Sequence, residues 1–306
     1  MRPDADHPER GQFVRDQVAQ LRRVDGIEVE LYELAPGARA LLRGALQLHR
    51  RYRGERYDVV HAHFGLTAWP ALAVPARVRA LTVHGTDVAH PRTRRLTRLA
   101  ARRMDVLAAV SAPLAEQLSE AIGDPARRVL VLPCGVDLER FRPIPRAQAR
   151  ARLGLDPQRP FALFAADPGR AEKRHDRALA LTRAAEVELR TLGGVAPELV
   201  PYWINACNAV LVPSEREGFG LAVLEALACD VPVLATPVGV HAEALSGVAG
   251  ALCAPFELAS WTPVLTAHTS DPDPRIAGRE RAERFSALGM AERVVAAWRA
   301  ALRDAG

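Results

Sequence analysis

The sequence predicts an α/β protein built from two doubly wound, Rossmann-like domains with parallel sheets. Apolar runs of strand length recur along the chain and alternate with segments of helical periodicity, the alternation that produces parallel sheets. One stretch, residues 209–236, spells out a complete strand, loop, helix and strand. A chain of 306 residues has room for two separate cores.

In chain order, residues 1–10 are irregular, and 11–23 read as an amphipathic helix with Phe13, Val14, Val18 and Leu21 on one face. Ile27–Leu31 alternates like a strand. Further strands are expected at Val59–His63, Ala80–His84, Val106–Val110 and Val129–Leu132, with helices between them. A domain of this kind opens with a buried strand and a glycine-rich turn before its first helix. Here the helix comes almost at once, so that first strand reads as missing, through a misplaced start or a truncation, with Arg10-Gly11 as the remnant of the turn. In Leu132–Pro143, Gly135 and Asp137 suit a tight turn and Phe141 a buried anchor. Pro143 to about Pro160 reads as a proline- and arginine-rich linker.

Phe161–Ala165 opens the second domain. The strand Val187–Leu192 runs through Gly193-Gly194 into a helix, Glu198–Ala206. After the 209–236 unit, Pro237–Gly239 turns into a helix carrying His241 and Glu243. Gly250–Ala254 supplies a strand, and helices near Arg275–Phe285 and Met290–Leu302 close the chain. The expected domains are 1–145 and 158–288, with the helix at about 289–306 left to return to the first.

Composition excludes several classes. No apolar run reaches membrane-spanning length, and the first twenty residues are charged rather than signal-like. Cys134, Cys207, Cys229 and Cys253 are scattered without a CxxC, which indicates neither a disulfide framework nor a zinc site. A cytoplasmic chain is the expectation. The net charge of +5 is concentrated in Arg39, Arg43, Arg50, Arg51 and Arg53 on one helix, and in Arg92, Arg94, Arg95, Arg98, Arg102 and Arg103 on another. Solvated helix faces are the first reading. Attraction to anionic lipid headgroups is the second, giving peripheral membrane association and a lipid-linked acceptor. Without interleaved aromatics or a recognition motif, nucleic acid is not an expected partner.

The chemistry centres on 209–236. Gly218 and Gly220 sit where the strand ends and the helix begins, where free amides and the helix dipole favour an anion. Glu217 and Glu225 flank that point and suit hydroxyl groups better than phosphates. Lys173 is the only lysine among 41 basic residues, and it follows a strand, where a compact ammonium can meet a phosphate. His61 and His63, in DVVHAHF, and His84, in HGTD, lie at strand ends. Backbone-bonded histidines are the preferred reading for His61 and His63, ahead of a metal pair. The triplets Asp4–Asp6 and Asp271–Asp273 are incidental, and no metal site is expected.

Glu217 and Glu225 with the intervening GFGLAVL, the preceding PS and the following EALACDVPVLATPVG resemble the E-x7-E motif of retaining glycosyltransferases of family 4. The resemblance implies the GT-B fold, two Rossmann-like domains with a cleft between them, and a C-terminal helix that crosses back to the first. It also implies that His84 faces the donor sugar and that Arg170 and Lys173 form the Arg/Lys pair on the leaving diphosphate. Their close spacing, within DPGRAEK, departs from the usual pattern. Amides of Gly218, Phe219, Gly220 and Leu221 then hold the diphosphate, Glu217 the sugar hydroxyls and Glu225 the ribose.

The implied function is transfer of a hexose from a UDP- or GDP-sugar to an acceptor hydroxyl with retention, independent of metal and with no cofactor. The alternative is a non-catalytic sugar-nucleotide-binding partner subunit. An epimerase of the same fold explains the glutamate motif poorly. A nicotinamide dehydrogenase lacks its G-x-G-x-x-G after a strand.

Overall fold

The computed structural model describes residues 11–306. The Asp4–Asp6 triplet and Arg10 lie outside the described residues. The chain divides into two compact units: the described residues up to Cys134 together with Leu288–Gly306, and Gly135–Ala287.

The first unit carries α1 (Gln12–Leu21), α2 (Ala38–Arg51), β1 (Tyr57–His63), α3 (Ala68–Ala71), β2 (Ala76–Val83), α4 (Thr86–Ala89), α5 (Pro91–Ala101), β3 (Val106–Ala109), α6 (Ala112–Ile122) and β4 (Val129–Val131). Its sheet has the order β1-β2-β3-β4, all parallel. Every residue of β3 is buried, as expected of a strand covered on both faces. The unit lacks the strand expected at Ile27–Leu31. That segment forms no ladder; the Arg22 guanidinium donates to the Val29 carbonyl, and Glu30 accepts from the hydroxyls of Tyr52 and Tyr57. Alternating polarity supplied the side-chain pattern of a strand without a backbone partner to pair with.

The second unit carries α7 (Arg146–Leu153), β5 (Phe161–Phe164), α8 (His175–Ala184), β6 (Glu188–Thr191), α9 (Val200–Ala206), β7 (Ala209–Val212), α10 (Leu221–Ala228), β8 (Val233–Ala235), α11 (His241–Leu245), β9 (Leu252–Cys253), α12 (Leu258–Ser270) and α13 (Arg279–Glu283). Its parallel sheet has the order β6-β5-β7-β8-β9. The strand order steps out in both directions from the β5–β7 pair, so the loops after these strands open at the switch point where α/β sheets bind ligands. Phe164, Leu211 and Leu234 from the sheet meet Leu181, Trp261 and Leu265 from helices α8 and α12 in one core.

Two segments differ from the expectation. The stretch expected to be a linker holds α7, whose Arg146 and Arg150 are buried. Arg150 donates to the carbonyls of Ala206 and Pro157 at 3.0 and 2.6 Å, so an arginine-rich sequence here marks an interior anchor. The helix α12 has no counterpart in the sequence reading, because Pro263 in its interior looks like a breaker. A fully buried Trp261 holds that helix to the core despite the proline.

The last helix, α14 (Ala287–Asp304), contributes its residues from Leu288 onward to the first unit. Trp298, Ala301 and Leu302 pack against Val78, Ala80 and Val106 of that unit's sheet.

Candidate functional site: a glycine loop with a buried ion pair

The loop between β7 and α10 follows the middle strand of the second unit's sheet and is tied to the turn after β8. Ser214 leaves β7 buried, its side chain donating to Glu217 Oε1 at 2.7 Å. Phe219 is buried, and its carbonyl accepts from the Val240 amide at 2.7 Å, tying the loop to the turn after β8. Gly220 caps α10 with φ 108°, a left-handed backbone that favours glycine. The amides that open a helix have no acceptor within it, so this tip offers donors to an anion.

Lys173 ends a short 3₁₀ turn after β5. Its Nζ donates to both carboxylate oxygens of Glu217, at 2.7 and 2.6 Å. The two side chains are 14% and 8% exposed, so water screens the pair little. Burial, the largest influence on Glu217, disfavours its charge. The Lys173 ammonium and the bonds from Lys173 and Ser214 outweigh it and hold the carboxyl below its ordinary pKa. The loop therefore holds an ionised glutamate and an ammonium side by side at the mouth of a helix N-terminus.

Arg170 stands apart from this pair in its bonding. Its Nε and Nη2 donate to Glu172 Oε1 at 3.0 and 2.7 Å, and its side chain is half-exposed. The backbone nevertheless links the two loops, since the Glu215 amide donates to the Glu172 carbonyl at 2.9 Å. Glu225 sits in the second turn of α10, half-buried.

In the first unit, His84 lies among aromatic rings. Its centroid is 4.7 Å from Phe13 and 4.8 Å from Phe64, and its Nε2 is 3.0 Å from His63 Nδ1. His61 stacks on His63 with centroids 4.7 Å apart, accepts at Nδ1 from Trp298 Nε1, and lies 2.8 Å from Thr82 Oγ1 through Nε2. These bonds run to side chains, where backbone partners were expected. Strand register explains the change, since β1 and β2 place His63 opposite Thr82, next to His84. Burial keeps the rings neutral: His61 and His84 lie well below the ordinary imidazole pKa, and His63 is lowered to about 4. Asp87 accepts from the amides of His84 and Gly65 at 2.6 and 2.7 Å, which fixes the turn that carries His84. Among the described residues, no group of three or more His, Cys, Asp or Glu is placed to hold a metal ion.

Two family models cover most of the chain: one described as Glycosyltransferase Family 4 matches residues 3–140, and one described as Glycosyl transferases group 1 matches 156–284. Among curated relatives, a D-inositol 3-phosphate glycosyltransferase of Thermobispora bispora is 31% identical over 289 aligned positions, covering 76% of this chain and 67% of the relative. The protein of the same name from Pseudarthrobacter chlorophenolicus is 30% identical, covering 90% of this chain and 76% of its own.

The chain belongs to glycosyltransferase family 4.

The fold of this family 4 glycosyltransferase is GT-B, seen in solved structures of lower identity. Sucrose-phosphate synthase from Thermosynechococcus elongatus superposes with a TM-score of 0.70 at 19% identity, covering 97% of each chain. Anabaena Alr3699/HepE, solved with UDP-glucose, gives 0.68 at 17% identity, covering 96% of this chain and 97% of its own.

Of the residues singled out from the sequence of this glycosyltransferase, the fold brings Lys173 and Glu217 into direct contact and leaves Arg170 on Glu172. The sequence placed His241 on a helix without a part in the site, yet its ring is wholly buried against Gly220. The signal was present: a polar ring directly follows a strand and a Pro-Val-Gly turn beside the glycine loop. Sequence reading also missed His63 as the partner of His84.

Proposed function

We propose that this family 4 glycosyltransferase moves a hexose from a nucleoside-diphosphate sugar, UDP or GDP, to an acceptor hydroxyl with retention of configuration and without a divalent metal. The observation that carries this reading is the Lys173–Glu217 pair set against the glycine-capped N-terminus of α10.

The chemistry follows from the charges. As the bond from the anomeric carbon to the diphosphate oxygen breaks, its electron pair and a growing negative charge move onto the diphosphate, and the ring becomes electron-poor. Donors fixed before the reaction stabilise that charge by several kcal/mol. Lys173, the amides of Phe219, Gly220 and Leu221 beside Gly218, and Arg170 once released from Glu172 supply them in this reading. Glu217, ionised and already hydrogen-bonded, orients the sugar hydroxyls, Glu225 binds the ribose and His84 contacts the sugar. A neutral, half-buried His84 suits a hydrogen bond to a hydroxyl better than a charge does.

A lipid-linked acceptor is the further part of this reading. On α2, Leu42 and Leu46 are 68% and 56% exposed, one turn apart, among the exposed Arg39, Arg43, Arg50 and Arg51. Apolar side chains ringed by arginine suit the surface of an anionic bilayer. No described helix is long and apolar enough to cross a membrane.

The test is transfer itself. The protein is incubated with UDP- and GDP-hexoses and a panel of acceptors, including D-inositol 3-phosphate and polyprenyl phosphates. Released nucleoside diphosphate is measured, and the anomeric proton of the product is read by NMR. The reading expects turnover in the presence of chelator with the donor's own anomeric configuration. Product of opposite configuration, or turnover lost to chelator, would overturn it.

A further inference from the structure

His241 stands beside the glycine loop, and the reaction scheme above makes no use of it. The ring has no exposed surface. Its Nδ1 lies 2.8 Å from the Thr236 carbonyl oxygen, and because a carbonyl only accepts, Nδ1 carries the proton. In the neutral ring Nε2 is then a bare lone pair. That atom is buried and has no protein partner among the described residues.

Its direction is set by Gly220. A Cβ built on that glycine would stand 2.3 Å from Nε2, so the ring occupies the space the missing side chain leaves at the tip of α10. The same histidine is wired to the ion pair. Thr236 Oγ1 donates to the Ser214 carbonyl at 2.5 Å, Ser214 Oγ donates to Glu217 Oε1, and Glu217 holds Lys173. A buried polar nitrogen without a partner calls for an explanation, and this one is aimed at a helix end suited to an anion.

We propose that His241 is a proton-accepting member of the diphosphate site: when a nucleoside-diphosphate sugar occupies the tip of α10, Nε2 takes up a proton from solvent, and the imidazolium shares the diphosphate charge with Lys173 and the helix end. The proposal rests on the reading of the Gly218–Leu221 loop as the diphosphate grip.

The charged groups facing His241 are Glu217, which favours its protonation, and Lys173, which opposes it. Burial is the largest influence and keeps the free ring neutral, below its ordinary pKa. A diphosphate adds negative charge beside the ring and raises that pKa. The sign follows: the complex binds a proton that the free protein does not, so affinity is highest at low pH. It falls as pH rises through the pKa of the complex, by at most about tenfold per pH unit for one proton.

The experiment is calorimetric titration of the full chain with UDP-glucose and, separately, GDP-mannose, at one pH in two buffers of different ionisation enthalpy. Wild type is expected to give a buffer-dependent heat corresponding to net uptake of up to one proton, with an affinity that weakens as pH rises. His241→Gln keeps an N–H donor but cannot titrate. It is expected to bind with a heat that no longer depends on the buffer. Wild-type binding with buffer-independent heat overturns the proposal without any variant and leaves the diphosphate grip standing. Unchanged proton uptake in His241→Gln, or in His241→Asn should the first variant fail to fold, assigns the proton elsewhere and also overturns it. Absence of binding by both nucleotide sugars removes the diphosphate grip and the role of His241 together.

Discussion

Replacing Lys173 by methionine isolates the interaction on which the candidate site is built. The substitution keeps the length of the side chain and removes the ammonium that donates to both oxygens of Glu217 at 2.7 and 2.6 Å. A carboxylate 8% exposed then keeps only the Ser214 hydroxyl among these donors. Removing one member of a buried pair costs about 3–5 kcal/mol. Protonation of Glu217 limits the loss, so the lower end, about 3 kcal/mol, is expected near neutral pH. At about 2–4 °C per kcal/mol for a domain of this size, the melting temperature of the second unit falls by roughly 6–12 °C.

The pH dependence separates this cause from lost packing. In wild type the Glu217 pKa is lowered, so its stabilisation is complete above the ordinary carboxylate range and is lost as pH falls through the lowered value. In the variant, burial is no longer outweighed and the carboxyl protonates at higher pH. The gap between the two proteins is therefore widest near pH 7 and closes toward about pH 4. Adding Glu217→Gln to Lys173→Met removes the stranded charge and recovers most of the loss. Differential scanning calorimetry across pH is the assay. A deficit of the same size at both ends of the range, or no recovery in the double variant, would refute the reasoning.

Three further outcomes are expected. A Cβ on Gly239 meets the Phe219 carbonyl oxygen at 2.2 Å with φ at 58°, whereas Gly194, at φ 73°, has open space around it. Gly194→Ala should cost about 1–2 kcal/mol for the left-handed backbone alone, and Gly239→Ala a further 1–3 kcal/mol of overpacking, read from urea midpoints. The half-buried histidines His61, His63 and His84 have lowered pKa values, so their contribution to stability is complete above the ordinary imidazole value and is lost as pH falls through about 4, the value for His63. Melting of the first unit should weaken over that window by up to about 1.4 kcal/mol per pH unit for each histidine, and less in His61→Phe. Arg150→Met strands the buried Ala206 carbonyl. At about 1–3 kcal/mol for an unpaired buried group it should lower stability by that amount in denaturant titrations, leaving nucleotide affinity of the folded protein unchanged.

Most of the sheet was legible because its strands are short apolar runs between polar segments. β5 and β7 lie at the positions the sequence indicates, buried along their whole lengths. The errors have local causes. Ile27–Leu31 has the polarity of a strand, but pairing is a property of two segments, and one segment cannot reveal it. Pro263 hid α12, whose helix is held by the burial of Trp261. Arginines 146 and 150 suggested a solvated linker because charge is ordinarily exposed, yet here each guanidinium is enclosed.

The site was legible in part. The glycine loop and the helix behind it lie within one continuous stretch, so their proximity follows from chain connectivity. The pairing of Lys173 with Glu217 spans 44 residues and depends on β5 and β7 being neighbours in the sheet. The place of His241 in the site was not legible for the same reason, since its relation to Gly220 is created by the adjacency of β7 and β8. Arg170 was grouped with Lys173 by the family resemblance, but a glutamate two residues away competes for it.

The most direct test of the central claim is a thermal-shift comparison of wild type and Lys173→Met with UDP, GDP and their hexose conjugates. A ligand that binds only the native state raises the melting temperature by an amount that grows with the logarithm of its concentration over Kd. A rise in wild type with one nucleoside diphosphate and its sugar, absent from Lys173→Met, is the predicted result. No rise with any of them, or an equal rise in both proteins, would contradict a diphosphate held by the helix tip and Lys173.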